Sequence, residues 1–244
     1  MFLVYIAIIA LVGFGIYKIT PNLFALKGNS AYSQGNINDA IKYYKIASTL
    51  FGGSAANKSI YALMLMRVGD FDDAEQVLNE IILDDNLKFE DKISAKTYRC
   101  MLYQKTDRLD TAIEDAQELF AHVKNTTIYG VLGYLKLLKG GANLEFCLEA
   151  YEYNSDDRDI CDNLVLAYIR SGEFLKAEEL LESLREGYPN FVEAFYHSAL
   201  LANLRGDKES ALRYLECIDA CRRNVMTTVT EDDIALLKEE IENA

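Results

Sequence analysis

The amino-acid sequence predicts an all-α protein: an α-solenoid of about six helix–turn–helix repeats, preceded by one transmembrane helix and closed by a C-terminal capping helix. Three observations predict this fold class. The first 17 residues carry no charged side chain, a glycine–alanine pair recurs at an interval of 34 residues, and only 2 prolines occur in 244 residues. A hydrophobic content of 50% supplies material for a core and excludes intrinsic disorder.

Residues 1–17 form an uncharged, apolar N-terminal segment. At about 1.5 Å per residue, a helix of this length spans roughly 25 Å, near the lower limit for a bilayer core of about 30 Å. Lys18 follows directly, and we expect Pro21 to end the segment. We predict a retained membrane anchor over residues 1–18. Two other interpretations stay open: a cleaved signal peptide, which the missing basic N-terminal region disfavours, and a buried core helix.

The lysines beside this segment predict its orientation. Lys18 and Lys27 both lie on its C-terminal side, so the positive-inside rule places the rest of the chain in the cytoplasm. The cysteines agree, because an odd number without a disulfide-framework pattern indicates free thiols and a reducing compartment; they are Cys100, Cys147, Cys161, Cys217 and Cys221. The sequence therefore predicts a single-pass protein of the cell membrane with a cytoplasmic domain.

The rest of the chain contains an internal repeat. A glycine is followed five residues later by an alanine in four places: Gly35 and Ala40, Gly69 and Ala74, Gly172 and Ala177, Gly206 and Ala211. The first two and the last two pairs are each 34 residues apart, and the interval between these sets leaves room for two less regular repeats, of which Ala112 marks the first. We expect each glycine to end a first helix in a left-handed conformation and each alanine to be buried where two helices cross.

Four stretches resemble tetratricopeptide repeats (TPRs): Gly28–Ser48, Arg67–Ile81, Ala167–Pro189 and Leu201–Ile218. Gly28 occupies the small crossing position of that family, Tyr44 and Ala47 its packing positions, and Pro189 its terminal proline. The resemblance implies a right-handed α-solenoid over residues 19–222, with repeats at approximately 21–54, 55–88, 93–124, 125–157, 158–190 and 191–222.

Two repeats depart from the family pattern. In the third, Asp107 and Arg108 replace the turn glycine and its follower, and Cys100 takes the crossing position. In the fourth, the second helix aligns two residues out of step, which predicts a shortened turn with Asn143 where alanine is expected. Asp70 and Asp207 follow turn glycines of other repeats, where we expect their side chains to cap the next helix.

Residues 223–244 read as a C-terminal capping helix. Thr230 is a candidate N-cap with Asp233 three residues later, and Ile234, Leu237 and Ile241 form one apolar stripe. A repeat array needs such an element because its last repeat has no successor to cover it.

The sequence contains no pattern typical of catalysis. His122 and His197 lie far apart without metal-ligand spacing, and no phosphate loop or nucleophile motif occurs. Cys217 and Cys221 are interpreted as small apolar residues on one helix face. A net charge of −13 argues against nucleic-acid binding. We therefore expect a protein that is not an enzyme, with no cofactor, no metal and no nucleic-acid partner.

The resemblance implies that the first helix of each repeat lines a concave groove for a peptide or a partner helix. Mapping the repeats onto that groove gives twelve candidate partner-binding residues: Leu63, Met66, Arg67, Met101, Gln104, Lys105, Leu166, Ile169, Arg170, Tyr196, Leu200 and Asn203. A basic residue recurs at one position, which favours an acidic, amphipathic partner segment. The alternative is that the helix dipole alone favours these cations and that neighbouring side chains cover the apolar positions.

By this resemblance, the expected function is a membrane-tethered protein–protein interaction scaffold, similar to bacterial membrane-anchored TPR assembly proteins. The alternative is a secreted or surface-facing TPR adaptor in envelope polymer assembly, which requires the opposite topology. Neither the identity of the partner nor the oligomeric state follows from the sequence.

Overall fold

The computed structural model describes residues 2–243, without the side chains of residues 2–4, 6–12, 16 and 18. These residues form thirteen α-helices and no strand, which confirms the all-α prediction. The helices are α1 (Phe2–Ser33), α2 (Ile37–Thr49), α3 (Ala55–Arg67), α4 (Phe71–Ile82), α5 (Phe89–Lys105), α6 (Leu109–His122), α7 (Thr126–Lys139), α8 (Leu144–Tyr153), α9 (Arg158–Arg170), α10 (Phe174–Gly187), α11 (Val192–Leu204), α12 (Lys208–Ile218) and α13 (Glu231–Asn243).

The chain divides into two compact units, residues 1–102 and 103–244, with the boundary inside α5. In the first unit, α1 packs on α2, α2 on α3 and α3 on α4. In the second unit, each helix from α6 to α13 packs on its neighbours in the same way, although a longer irregular segment connects α12 to α13. Packing of each helix on the next is the pattern of a helical repeat array.

Helix α1 runs through Pro21, so the expectation that this proline ends the first segment is wrong. Proline removes one helical hydrogen bond at a cost of about 3 kcal/mol. Pro21 is buried, and the helix beyond it packs along α2, which offsets that cost. Most of the predicted anchor falls on residues whose side chains lie outside the described part of the chain. Within the described residues, no helix combines the length and the apolar character needed to cross a bilayer.

The helix crossings are closed by small buried residues, as predicted. Five alanines at these positions have 0% exposure: Ala40, Ala74, Ala112, Ala177 and Ala211. Cys100 has 1% exposure. Gly28 allows the closest approach, because a Cβ atom on it would lie 2.7 Å from Cε2 of the buried Tyr44 ring. Packing at this density leaves no room for an added methyl group.

The turns confirm most of the predicted conformations. The four turn glycines have φ values between 75° and 85°, and Asp107 takes the same left-handed conformation at 58°. The Asp207 carboxylate accepts the backbone N–H of Ser210 at 3.0 Å, which confirms its capping role. The Asp70 side chain accepts no hydrogen bond from the first turn of α4, so the expectation that Asp70 caps this helix through its side chain is wrong.

The fourth repeat has a longer turn, not a shorter one, and the predicted place of Asn143 is wrong. Asn143 lies before α8 in the left-handed region, with φ of 49°. Its amide donates to the carbonyl oxygens of Lys136 at 3.0 Å and Gly140 at 2.9 Å, which closes the turn. Cys147, with 0% exposure, is the small buried residue of α8 instead.

A C-terminal helix is present, but it covers Glu231–Asn243 and not 223–244, because residues 223–230 are irregular. The Thr230 backbone N–H donates to Oδ2 of Asp233 at 2.8 Å, and the Asp233 N–H donates back to the Thr230 hydroxyl at 3.1 Å. Leu237 and Ile241, at 2% and 0% exposure, pack into the last core cluster with Val192.

We predict that Gly28→Ala lowers the free energy of unfolding by about 1–3 kcal/mol, because its methyl group must displace the Tyr44 ring. The matched control is Gly187→Ala, a helical glycine with no atom within 4 Å of an added Cβ. We expect that control to be neutral or to stabilise by about 0.5–1 kcal/mol, the helix preference of alanine over glycine. Urea denaturation measures both, and equal effects of the two substitutions would contradict the close crossing.

Candidate functional site

The basic residues of the predicted groove have partners within their own units. In the first unit, the guanidinium carbon of Arg67 lies 4.3 Å from the ring centroid of Tyr32, in a cation–π arrangement. In the second unit, Arg170 donates through Nη1 to the carbonyl oxygens of Leu137 at 2.6 Å and Gly141 at 2.9 Å. Arg170 therefore satisfies carbonyls at the C-terminal end of α7.

Lys105 is engaged by a residue from the far end of the second unit. Its Nζ atom donates to the carbonyl oxygen of Thr227 at 2.8 Å. Burial lowers the pKa of the Lys105 ammonium, while the carboxylates of Glu193 and Asp233 act in the opposite direction. A half-buried ammonium with one backbone acceptor is a strong hydrogen-bond donor for any better acceptor that reaches it.

Thr227 belongs to the connecting segment, residues 219–230, which joins α12 to α13 without helical structure. Next to it, Thr228 donates its N–H and its hydroxyl to the same carboxylate oxygen of Glu193, at 2.9 and 2.8 Å. Val229 is 7% exposed and packs against α11. We call the surface that Lys105 on α5 and Glu193 on α11 present the first-helix face of the second unit. This face thus holds a non-helical segment of the chain itself.

A buried polar pair joins α9 and α11. His197 Nδ1 is 2.7 Å from Oδ1 of Asp162, and their residue exposures are 7% and 8%. Burial acts against a charged imidazole, but the carboxylates of Asp162 and Glu193 outweigh it and raise the pKa of His197. Sequence analysis missed this pair. The sequence contained a signal for it, since Asp162 and His197 are 35 positions apart, one residue more than the repeat interval of 34.

The apolar candidates divide into core and surface residues. Met66 in the first unit and Ile169 in the second are core residues, at 0% and 6% exposure. Leu63, Leu166, Tyr196 and Leu200 are half-buried and pack against the edges of core clusters. Three further candidates are half-buried as well: Met101, Gln104 and Asn203.

The cysteines are free thiols. Burial raises the pKa of the Cys147 and Cys161 thiols to about 11, which leaves them protonated and poorly nucleophilic at neutral pH. Among the described residues, no group of three histidine, cysteine or acidic side chains is arranged to hold a metal ion.

Comparison with known proteins supports the repeat fold. Residues 26–87 and 163–220 match the model of the tetratricopeptide repeat family, so the chain carries tetratricopeptide repeats in both stretches. No curated protein sequence matches the chain significantly. Repeat solenoids of this class are scaffolds that offer extended surfaces for protein–protein interaction.

Solved structures share the fold at low sequence identity. PilF of Pseudomonas aeruginosa is 13% identical with a TM-score of 0.62, over 93% of this chain and 98% of that one. TTC0263, a TPR protein of Thermus thermophilus, is 16% identical with a TM-score of 0.60, over 78% and 100%. A chain of the APC/C hetero-tetramer Cut9–Hcn1 is 14% identical with a TM-score of 0.68, over 95% and 45%. At these identities the likeness concerns the fold alone.

We predict a pH-dependent contribution of His197 to stability. Because its folded-state pKa is raised, the contribution is complete below the ordinary histidine pKa of about 6.5 and is lost as the pH rises through the folded-state value. Asp162→Asn removes the main attraction and should abolish that part of the pH dependence while destabilising the protein at pH 6.

Urea denaturation between pH 6 and 9 measures this effect. His122→Gln is the control, since His122 is the exposed histidine of α6. We expect this control to keep the wild-type pH profile. A wild-type profile in Asp162→Asn would show that the pair does not set the pH dependence.

Proposed function

We propose that this chain is a membrane-tethered protein–protein interaction scaffold, with a binding and not a catalytic role, that holds a peptide or helix of a partner on the first-helix faces of its repeats. One observation carries the proposal. In the second unit, Lys105 and Glu193 bind the backbone carbonyl of Thr227 and the backbone N–H of Thr228. A surface that already recognises backbone groups of a non-helical segment has the chemistry that peptide recognition needs.

The basic side chains support an acidic partner segment. Lys105 and Arg170 donate to neutral carbonyl oxygens. A carboxylate is a stronger acceptor than a carbonyl, because the hydrogen bond then joins two opposite charges. A partner carboxylate that reaches Lys105 would therefore replace the carbonyl of Thr227, and the connecting segment would compete with the partner for the same donor.

We assign the tether to residues 1–17 because this segment is uncharged and apolar. We assign the repeats to the cytoplasm because Lys18 and Lys27 follow the segment. A reporter that is active only in the cytoplasm, fused after residue 244, tests this topology. We expect the fusion to be active and to sediment with membranes. An inactive, membrane-bound fusion would contradict the cytoplasmic assignment and favour the surface-facing adaptor of envelope polymers.

We predict that neutralising Lys105 and Arg170 of the second unit together to glutamine weakens the binding of acidic peptides at least tenfold, about 1.4 kcal/mol. The peptides are selected from a displayed library on the wild-type chain, and their affinities are then measured by fluorescence anisotropy. The matched control replaces Lys176 and Arg213, exposed cations on second helices of the same unit, in the same way. If both double variants lose affinity equally, net charge and not this face controls binding.

We also predict that Thr228→Val increases the affinity for the same peptides. The substitution preserves shape but removes the hydroxyl that donates to Glu193. One hydrogen bond contributes about 1 kcal/mol, so a competing segment held less firmly should allow roughly fivefold tighter peptide binding. Thr49→Val on α2 removes a comparable hydroxyl elsewhere and should leave the affinity unchanged. A decrease in affinity would show that the connecting segment assists the partner and does not compete with it.

A further inference from the structure

The first unit has a surface of its own at the end where the apolar N-terminal segment joins the repeats. Helix α1 continues without a break from that segment into the first repeat, and α2 packs back along it. Late in α1, the side chain of Asn29 accepts a hydrogen bond from the Tyr44 hydroxyl of α2. As α2 proceeds beyond Tyr44, the chain returns towards its own apolar segment.

This return brings the α2–α3 connection, residues 50–54, against Tyr17, the last residue of the apolar segment. The ring centroids of Tyr17 and Phe51 lie 5.0 Å apart, and the Tyr17 hydroxyl donates to the carbonyl oxygen of Phe51 at 3.3 Å. Tyrosine is enriched where a helix leaves a bilayer. When residues 1–17 lie in a bilayer, the α2–α3 connection therefore lies at the level of its surface.

Phe51 presents its ring from a strained backbone. Its φ is 54°, in the left-handed region, which is unfavourable for a residue with a Cβ atom, and its exposure is 48%. Gly52 and Gly53 follow with φ values of 85° and 56°, so the connection turns tightly. A large ring that is half exposed on a strained backbone gains little from folding, and such positions are typical of binding sites.

Exposed apolar side chains also continue along α1 just beyond Tyr17. Ile19 and Leu23 are 57% and 51% exposed. Because residues four apart lie on one face of a helix, these two side chains form an apolar stripe that extends the N-terminal segment. Apolar helix faces of this kind lie at the boundary between lipid headgroups and acyl chains.

The charge of this part of the chain is opposite to that of the rest. Residues 1–69 contain six basic residues and one acidic residue, whereas residues 70–244 contain 19 basic and 37 acidic residues. The one acidic residue, Asp39, lies in the first turn of α2, at the far end of that helix from the connection. An anionic surface attracts residues 1–69 and repels the remainder, so charge favours an anionic partner for this part alone.

Lys45 is the cation best placed to meet such a partner beside the connection. It is exposed and lies four residues before Thr49, the end of α2, which is about 6 Å along the helix axis. Its long side chain can extend beyond the helix end towards a headgroup. Lys58, in the first turn of α3, lies on the other side of the connection, but its ammonium also attracts the carboxylate of Asp84.

We propose that the α2–α3 connection contacts the surface of an anionic lipid bilayer, with the ring of Phe51 among the headgroups and the ammonium of Lys45 on a lipid phosphate. This contact rests on the proposed membrane tether, which brings the connection to the bilayer. Because the tether makes the second contact intramolecular, one ring and one ammonium are enough to form it. Two points of attachment then hold the first unit in one orientation on the membrane.

A tryptophan reporter tests the contact of the ring, since the chain contains 0 tryptophans. Full-length Phe51→Trp is reconstituted into vesicles of phosphatidylcholine and phosphatidylglycerol with brominated acyl chains. We expect blue-shifted emission and quenching by bromine. Val68→Trp is the matched control, because Val68 is 43% exposed at the other end of α3, and its emission should stay unquenched. Equal quenching at the two positions, or none at position 51, would overturn the proposal.

Lys45→Gln in the Phe51→Trp chain tests the headgroup contact. One lysine near an anionic surface changes the ratio of bound to unbound states about fivefold, so we expect quenching to fall accordingly. Lys238→Gln removes an exposed lysine of α13 and should leave the quenching unchanged. Vesicles of phosphatidylcholine alone should also reduce it. Quenching that depends neither on Lys45 nor on phosphatidylglycerol would contradict the contact with an anionic headgroup.

Sedimentation of the same samples distinguishes failure of this contact from failure of the tether. A chain that sediments with vesicles while the tryptophan at position 51 stays unquenched retains the tether and overturns the contact. A chain that sediments with neither kind of vesicle overturns both. If Phe51→Trp does not fold, hydrogen exchange at residues 50–54 of the wild-type chain decides: the proposal requires slower exchange on anionic vesicles than on phosphatidylcholine, and equal exchange overturns it.

Discussion

The close approach of paired helices at a small side chain is the constraint on which the rest of the structure depends. At Ala40, Ala74, Ala112, Ala177 and Ala211 the exposure falls to 0%. Neighbouring side chains then make many weak contacts over a short axial distance, and these contacts, summed over the repeats, stabilise the array. Gly28 is the tightest of these crossings, since a Cβ atom there would lie only 2.7 Å from Cε2 of the Tyr44 ring. Every surface described above is held in place by these crossings.

The same packing explains why the polar residues of the second unit are paired. Helices that approach closely remove water from the residues between them, and a buried charge without a partner is costly. Lys105 meets a carbonyl, and His197 meets Asp162. Glu193 accepts two hydrogen bonds from Thr228. The candidate binding face is therefore an organised set of donors and acceptors whose present occupant is the connecting segment.

The sequence alone determined the features that depend on neighbouring residues. These are the helical class, the left-handed turn glycines, the buried alanines and the Thr230–Asp233 capping pair, because backbone conformation and helix periodicity act over a few residues. The turn at Asn143 is also local, since it is closed by bonds to Lys136 and Gly140, but the comparison with the family pattern placed Asn143 wrongly. The sequence did not determine the continuation of α1 through Pro21 or the partners of Lys105 and His197. These partners lie 122 and 35 positions away, and only the packing of the repeats brings such residues together.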